Sequence, residues 1–145
     1  DEALQHVAVL SELQELDLGH TDVSDFGMRH LQGLHNLKIL KLPGTAVTKN
    51  GIKILAGLKS LEVLHLDQTR INDDAVKELK GLSTLRELRL DGCPFEGKAF
   101  ESLSRLPLTV LHLEDTKVTD KAASALSQFS SLERLCLSNT KVTGK

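Results

Sequence analysis

Leucine recurs in this chain with a fixed spacing, LxxLxL, that returns about every 24 residues. Residues 13–36, 37–60, 61–84 and 108–131 are full units, and residues 85–107 form a unit one residue shorter. Residues 132–145 begin a further unit, and residues 1–12 match the second half of one. No residue lies outside the repeat. A period of this length marks a stacked array, because one short unit cannot bury its own apolar face and needs neighbours on either side. Leucine supplies 29 of the 145 residues, while Trp and Tyr are absent. The interior is therefore built from one aliphatic shape.

Numbering each unit from its first leucine gives every position a physical reading. The leucines at positions four and six alternate with polar neighbours, as Leu64 and Leu66 do around His65. That is the period-two pattern of a half-buried strand. Position nine is Thr21, Thr45, Thr69, Cys93, Thr116 and Thr140, small side chains able to bond loop backbone groups. Position eleven is always apolar and should turn inward. Position twelve is Ser24, Thr48, Asn72, Glu96, Thr119 and Thr143, of which all but Glu96 suit a helix N-cap. Asp25, Asp73 and Asp120 follow, placed to favour the first turn through the helix dipole. A short helix comes next, with Ile52, Leu55 and Leu58 on one face and a small residue (Ala3, Gly27, Gly51, Ala75, Ala99, Ala122) where helices meet. Gly33, Gly57 and Gly81 read as C-caps. Strands stack at about 4.8 Å, whereas helices need about 8–10 Å. The stack must bend, with its strands on the inner side.

The pattern LxxLxLxxTxVTDxGLxxLxGLxx, carried through the whole chain, resembles the leucine-rich repeat family, in its roughly 24-residue β/α variety with Thr at the position often held by Asn. The resemblance implies an α/β solenoid, a curved horseshoe arc with parallel strands on the concave face and helices on the convex face. It also implies an interaction surface whose partner is set by the variable strand residues. Residues 1–145 form a single repeat domain. The expectation is a fragment of a longer array, because neither terminal unit carries a polar cap and Leu135 and Leu137 would lie beside an uncovered end.

Several classes of function lack their signature. No run of about 18 apolar residues exists, so no membrane span is expected. Lys and Arg total 18 against 20 Asp and Glu, and stacking aromatics are scarce, so no nucleic acid is expected as partner. The glycines recur at turn positions and form no phosphate loop, and no cofactor is expected. Two distant cysteines cannot form a disulfide framework and no N-x-S/T sequon occurs, which favours an intracellular setting.

Function on such a scaffold would lie in the strand side chains between the leucines. Position five forms the row Asp17, Lys41, His65, Arg89, His112 and Cys136, and position seven offers Asp67, Asp91 and Glu114. A basic or titratable ridge thus runs beside an acidic one, about 6–7 Å along the strands. Two readings stand: the ridges neutralise each other on a solvated sheet, or they read a partner's charges. Ile39, Val63 and Val110, at position three, are apolar where solvent should be, which suits a protein interface inside a polar rim. Isolated exposed apolar residues are also common. The expected partner-binding set is Ile39, Lys41, Val63, His65, Asp67, Arg89, Asp91, Val110, His112 and Glu114, contacting a protein partner.

Cys136 and His112 fall side by side, the core of a thiol nucleophile, with Glu114 or Asp115 near the imidazole. An open sheet supplies no water-excluding pocket, so this enzyme reading is remote beside a non-catalytic scaffold. His65 and His112 stand about 10 Å apart with Arg89 between them, too far for a shared zinc. A third possibility is an architectural spacer that contacts neighbours through its helical back or associates end to end. The short fourth unit, with Cys93-Pro94-Phe95 and Glu96 at the cap position, reads as local repacking around larger side chains or as a kink in the arc.

Overall fold

The computed structural model describes residues 1–143. Residues 144 and 145, the tail of the last unit, lie outside the described residues. Six three-residue strands form one parallel sheet in sequence order: β1 (Glu15–Asp17), β2 (Ile39–Lys41), β3 (Val63–His65), β4 (Glu87–Arg89), β5 (Val110–His112) and β6 (Arg134–Cys136). The helical layer holds α1 (Leu4–Val7), α2 (Asp25–Met28), α3 (Lys49–Leu55), α4 (Asp73–Val76), α5 (Phe100–Leu103) and α6 (Asp120–Ala123), with 3₁₀ turns after α2, α4 and α6. This is the α/β leucine-rich-repeat solenoid.

Register is uniform. Leu16, Leu40, Leu64, Leu88, Leu111 and Leu135 pair along one line, and the flanking residues pair in the same way on either side. The backbone ladder runs past the strands. The amide at position six donates to the carbonyl at position five of the next unit, as from Leu42 to His65 at 2.9 Å and from Leu66 to Arg89 at 2.9 Å. The amide at position eight then donates to position seven of the next unit, as from Gln68 to Asp91 at 2.7 Å. Position eight sits in the left-handed region throughout. Its φ is 55° to 57° at His20, Gln68, Asp115 and Asn139, and 64° and 70° at Gly44 and Gly92. The chain turns sharply there, from sheet to core.

Between the two layers lies a single column of aliphatic side chains. Leu40, Leu64, Leu88 and Leu111 are wholly buried, as are Leu42, Leu66, Leu90 and Leu113. Burial of one such leucine contributes about 1.5–3 kcal/mol. At the ends the same positions open: Leu16 is half-buried and Leu135 is exposed. The threonine hydroxyls bond as their position requires. Thr45, Thr69 and Thr116 are buried and donate to the leucine carbonyl three residues earlier at 2.8, 2.6 and 2.7 Å. Cys93, buried in the same column, donates instead to Leu66 of the preceding unit at 3.1 Å.

One sequence expectation needs correction. Gly33, Gly57 and Gly81 do not adopt the left-handed conformation of a glycine C-cap; among the described residues only Gly44, Gly92 and Gly97 have positive φ. At each of these helix ends an amide bonds the carbonyl three residues back (Leu34 to Leu31 at 3.0 Å, Leu58 to Leu55 at 2.8 Å, Leu82 to Leu79 at 2.9 Å), which closes the turn without a left-handed residue. The first-turn aspartates stand where expected and take on a further role. Asp25 accepts from the Thr48 amide (2.7 Å), the Thr48 hydroxyl (2.5 Å) and the Gly51 amide (2.9 Å) of the following unit. Asp73 likewise accepts from Glu96 and Ala99 at 2.9 and 3.0 Å, and Asp120 from the Thr143 amide and hydroxyl at 2.6 and 2.7 Å. These carboxylates bolt one unit to the next. The small residue at position fifteen leaves them room: a Cβ on Gly51 would come within 2.6 Å of the Asp25 carboxylate. Ser24, Thr48 and Asn72 cap their own helices, whereas Thr119 makes no side-chain cap bond.

Asp73 is buried, so truncating it leaves two amides without an acceptor. Asp73→Ala should destabilise the chain by about 2–3 kcal/mol, lowering Tm by roughly 6–10 °C. Asp73→Asn, which keeps an acceptor oxygen, should lose less. Thermal melts of the two variants check the ordering, and a Tm for Asp73→Ala within error of the parent would contradict the bolt.

Candidate functional site

The parallel register brings the variable strand residues into two rows on the strand face. Position three runs Glu15, Ile39, Val63, Glu87, Val110, Arg134; position five runs Asp17, Lys41, His65, Arg89, His112, Cys136. Ile39, Val63 and Val110 are half-buried, because each shares its row with neighbours one strand spacing away. Lys41, His65, Arg89, His112, Asp67, Asp91 and Glu114 are half-buried as well. Every residue of the expected set therefore lies on or directly beside the sheet.

The charges choose partners from both sides. Lys41 bonds Glu15 at 2.7 Å and lies 4.0 Å from Asp17. His65 Nε2 meets Glu87 at 2.9 Å. Arg89 turns the other way: its Nε lies 3.4 Å from Asp67 Oδ2 and its terminal nitrogen 3.3 Å from Asp91 Oδ2. His112 Nδ1 stands 3.7 Å from that same Asp91 oxygen. The basic row thus splits, two members facing position three and two facing position seven.

The acidic row also serves the backbone. Asp67 Oδ1 accepts from the Asp91 amide at 3.2 Å, and Asp91 Oδ1 accepts from the Glu114 amide at 2.7 Å. These two carboxylates, 15% and 16% exposed, close the strand ends and hold Arg89 with their remaining oxygens. Burial pushes the Asp67 carboxyl above the usual carboxylate range; Arg89 pulls it back and Asp91 adds repulsion. Lys41 is held above the usual range for lysine by its bond to Glu15 and by that residue's charge. Burial also raises the Cys93 thiol, against its hydrogen bond with Thr69.

Cys136 Sγ lies 3.8 Å from His112 Nε2, so the adjacency expected of the pair is present. The carboxylate on the far side of the imidazole is Asp91, not Glu114 or Asp115. At 3.7 Å it is beyond hydrogen-bond length, and Arg89 and the Glu114 amide share it. None of these three residues lines either of the two cavities described in the protein.

Asp67 is ionised more reluctantly when folded than when unfolded. The resulting penalty is present at neutral pH and disappears as pH falls through the raised folded value to the ordinary one. Asp67→Asn keeps an oxygen for the Asp91 amide and removes the penalty. It should raise Tm at pH 7 by up to about 2 °C, with the gap closing by about pH 3–4. A lower Tm at pH 7 would mean that the attraction to Arg89 outweighs burial.

Family comparison finds two matches. One profile, described as Leucine Rich repeat, matches residues 107–127, and a second, Leucine Rich Repeat, matches residues 84–106. No curated protein matches the chain. Among solved structures, the chain is similar to an internalin (InlF) from Listeria monocytogenes, with a TM-score of 0.69, 19% identity and 96% of this chain covered. It is also similar to internalin C2 (InlC2) of the same species, with a TM-score of 0.68, 24% identity and 99% covered. The chain spans 45% of the length of the first and 76% of the second. What it shares with them is the fold.

Proposed function

We propose that this chain, which two leucine-rich-repeat profiles match over residues 84–127, is a non-catalytic scaffold that binds a protein partner through its strand face. The observation that carries this reading is the row of Ile39, Val63 and Val110, half-buried and bordered by the charged side chains at positions five and seven. Apolar area framed by paired charges is what a protein interface uses: the apolar strip gives desolvation, and the rim gives orientation. Trp and Tyr, the strongest interface anchors, are absent, so affinity must be spread over several strands. The face is preorganised, because its ion pairs and backbone bonds fix the side chains before a partner arrives.

Arg89 is a poor probe of this reading. A carboxylate in its place would stand among Asp67 and Asp91 and would unsettle the fold as well as the face. Ile39 and Val63 are better. Lysines there would lie beside Glu15 and Glu87 in the same row and find opposite charge. Ile39→Lys/Val63→Lys should keep Tm within about 3 °C of the parent and lose the captured partner in affinity purification with mass spectrometry. A control on the helical side, Lys53→Glu, should retain it. Loss with the control and retention with the strand-face variant would reverse the assignment.

A second reading, end-to-end self-association, is favoured by the apolar side chains at the two terminal units, with Val9 at 78%, Leu10 at 50% and Leu135 at 37% exposure. Concentration-dependent sedimentation that Leu135→Glu abolishes would support it. A monomer at every concentration would leave the strand face as the one interaction surface proposed.

A further inference from the structure

The carboxylate bolt is missing at two places, Lys49 and Gly97, and a cavity lies at the second. Gly97 occupies the position held by Asp25, Asp73 and Asp120 in other units, and so no carboxylate reaches forward to the cap residue Thr119. Gly97 is buried with φ 88°, packed so closely that a Cβ would come within 2.7 Å of Ala122 and 2.8 Å of the Phe100 ring. The short fourth unit delays its helix to Phe100, and that ring packs edge-on between Phe95 and Phe129, with centroids 5.4 and 5.9 Å away. These large rings fill the core beneath. Above them, between α5 and α6, is a cavity of about 590 Å³. No strand residue lines it, so it is separate from the strand face.

Its chemistry is two-sided. Ala122 and Ala125 give apolar surface above the buried Phe100 ring, and Lys98, Lys117, Lys121 and Lys141 stand around it. The two carboxylates on the lining are already engaged: Glu96 with Lys98, and Glu101 with Arg105 at 3.3 Å. Among the described residues, Lys117 and Lys121 form no ion pair. The Thr119 hydroxyl, released from capping, also lines the space. A volume of this order accommodates a small organic ligand. An inorganic anion would leave the apolar surface wet, and a neutral hydrocarbon would gain nothing from the exposed ammonium groups.

We propose that this cavity binds a small amphipathic carboxylate. Its aliphatic or aromatic body lies against Phe100, Ala122 and Ala125, and its carboxylate lies between Lys117 and Lys121. The test is calorimetric titration of the chain with decanoate below its micellar concentration, followed by amide chemical shifts, with 1-decanol as the neutral control. Decanoate should saturate one site, and shifts should concentrate at Gly97, Phe100, Ala122 and Ala125. Decanol should bind roughly tenfold more weakly. Lys117→Glu/Lys121→Glu should reduce decanoate affinity by roughly tenfold or more, and Ala125→Phe, which fills the space, should abolish binding. Melting curves check that both variants remain folded; Lys117→Gln/Lys121→Gln replaces the first if it does not. Three results would each overturn the proposal: no saturation up to about 1 mM, equal binding of decanol, or shifts centred on the exposed Val9, Leu10 and Leu135.

Discussion

Everything in this molecule descends from the way one unit's amides reach the next unit's carbonyls. The bonds from Leu42 to His65 and from Gln68 to Asp91 belong to a ladder that runs along the stack without a shift in register. A slip by one residue would send Leu64 to the surface and His65 into the core. The buried leucine column and the backbone ladder therefore enforce each other. Three short residues per strand suffice because the turn at position eight, left-handed in every unit from His20 to Asn139, continues the ladder into the loop.

Much of this was legible from residue spacing. The return of LxxLxL places the leucines inside and predicts the rows that run from Asp17 to Cys136, since identical units in parallel must pair like with like. The threonine column was legible for the same reason: one small hydroxyl recurs where the chain leaves the strand. What spacing cannot tell is which of two equidistant carboxylates a long side chain will choose. Lys41 takes Glu15 because position three of the preceding unit is an acid while position seven there is Gly19, and Arg89 takes Asp67 and Asp91 because the acid at its own position three, Glu87, is bonded to His65. The aspartate bolt was hidden because its acceptor and donors lie in different units, about a full period apart. Its signal was present all the same, in the pairing of Asp25 with a small residue at Gly51. The glycines at 33, 57 and 81 misled because a bond to the carbonyl three residues back, made by Leu34, Leu58 and Leu82, closes each helix without a left-handed cap.

The strand face and the helical side divide the chain's chemistry. On the strand face the carboxylates of Asp67 and Asp91 are committed both to backbone amides and to Arg89, so the charged rows are as much a structural device as a recognition surface. The neutralising and recognition readings of those rows are compatible: pairs that fix one another's geometry also present a rigid rim around Ile39, Val63 and Val110. The irregular fourth unit shows the opposite behaviour. Where Gly97 interrupts the bolt, bulkier aromatic rings restore the core, and the space left outside them becomes the cavity between α5 and α6.

Residue-resolved hydrogen exchange on the isolated chain tests the ladder directly. The amides of Leu66 and Leu90, bonded across units at 2.9 and 3.0 Å above a wholly buried column, should exchange most slowly. Protection should decline outward toward β1 and β6, where Leu16 and Leu135 are partly uncovered. Fast exchange at Leu66 and Leu90, at rates close to those of an unstructured peptide, would contradict the stacked, register-locked architecture from which every other conclusion follows.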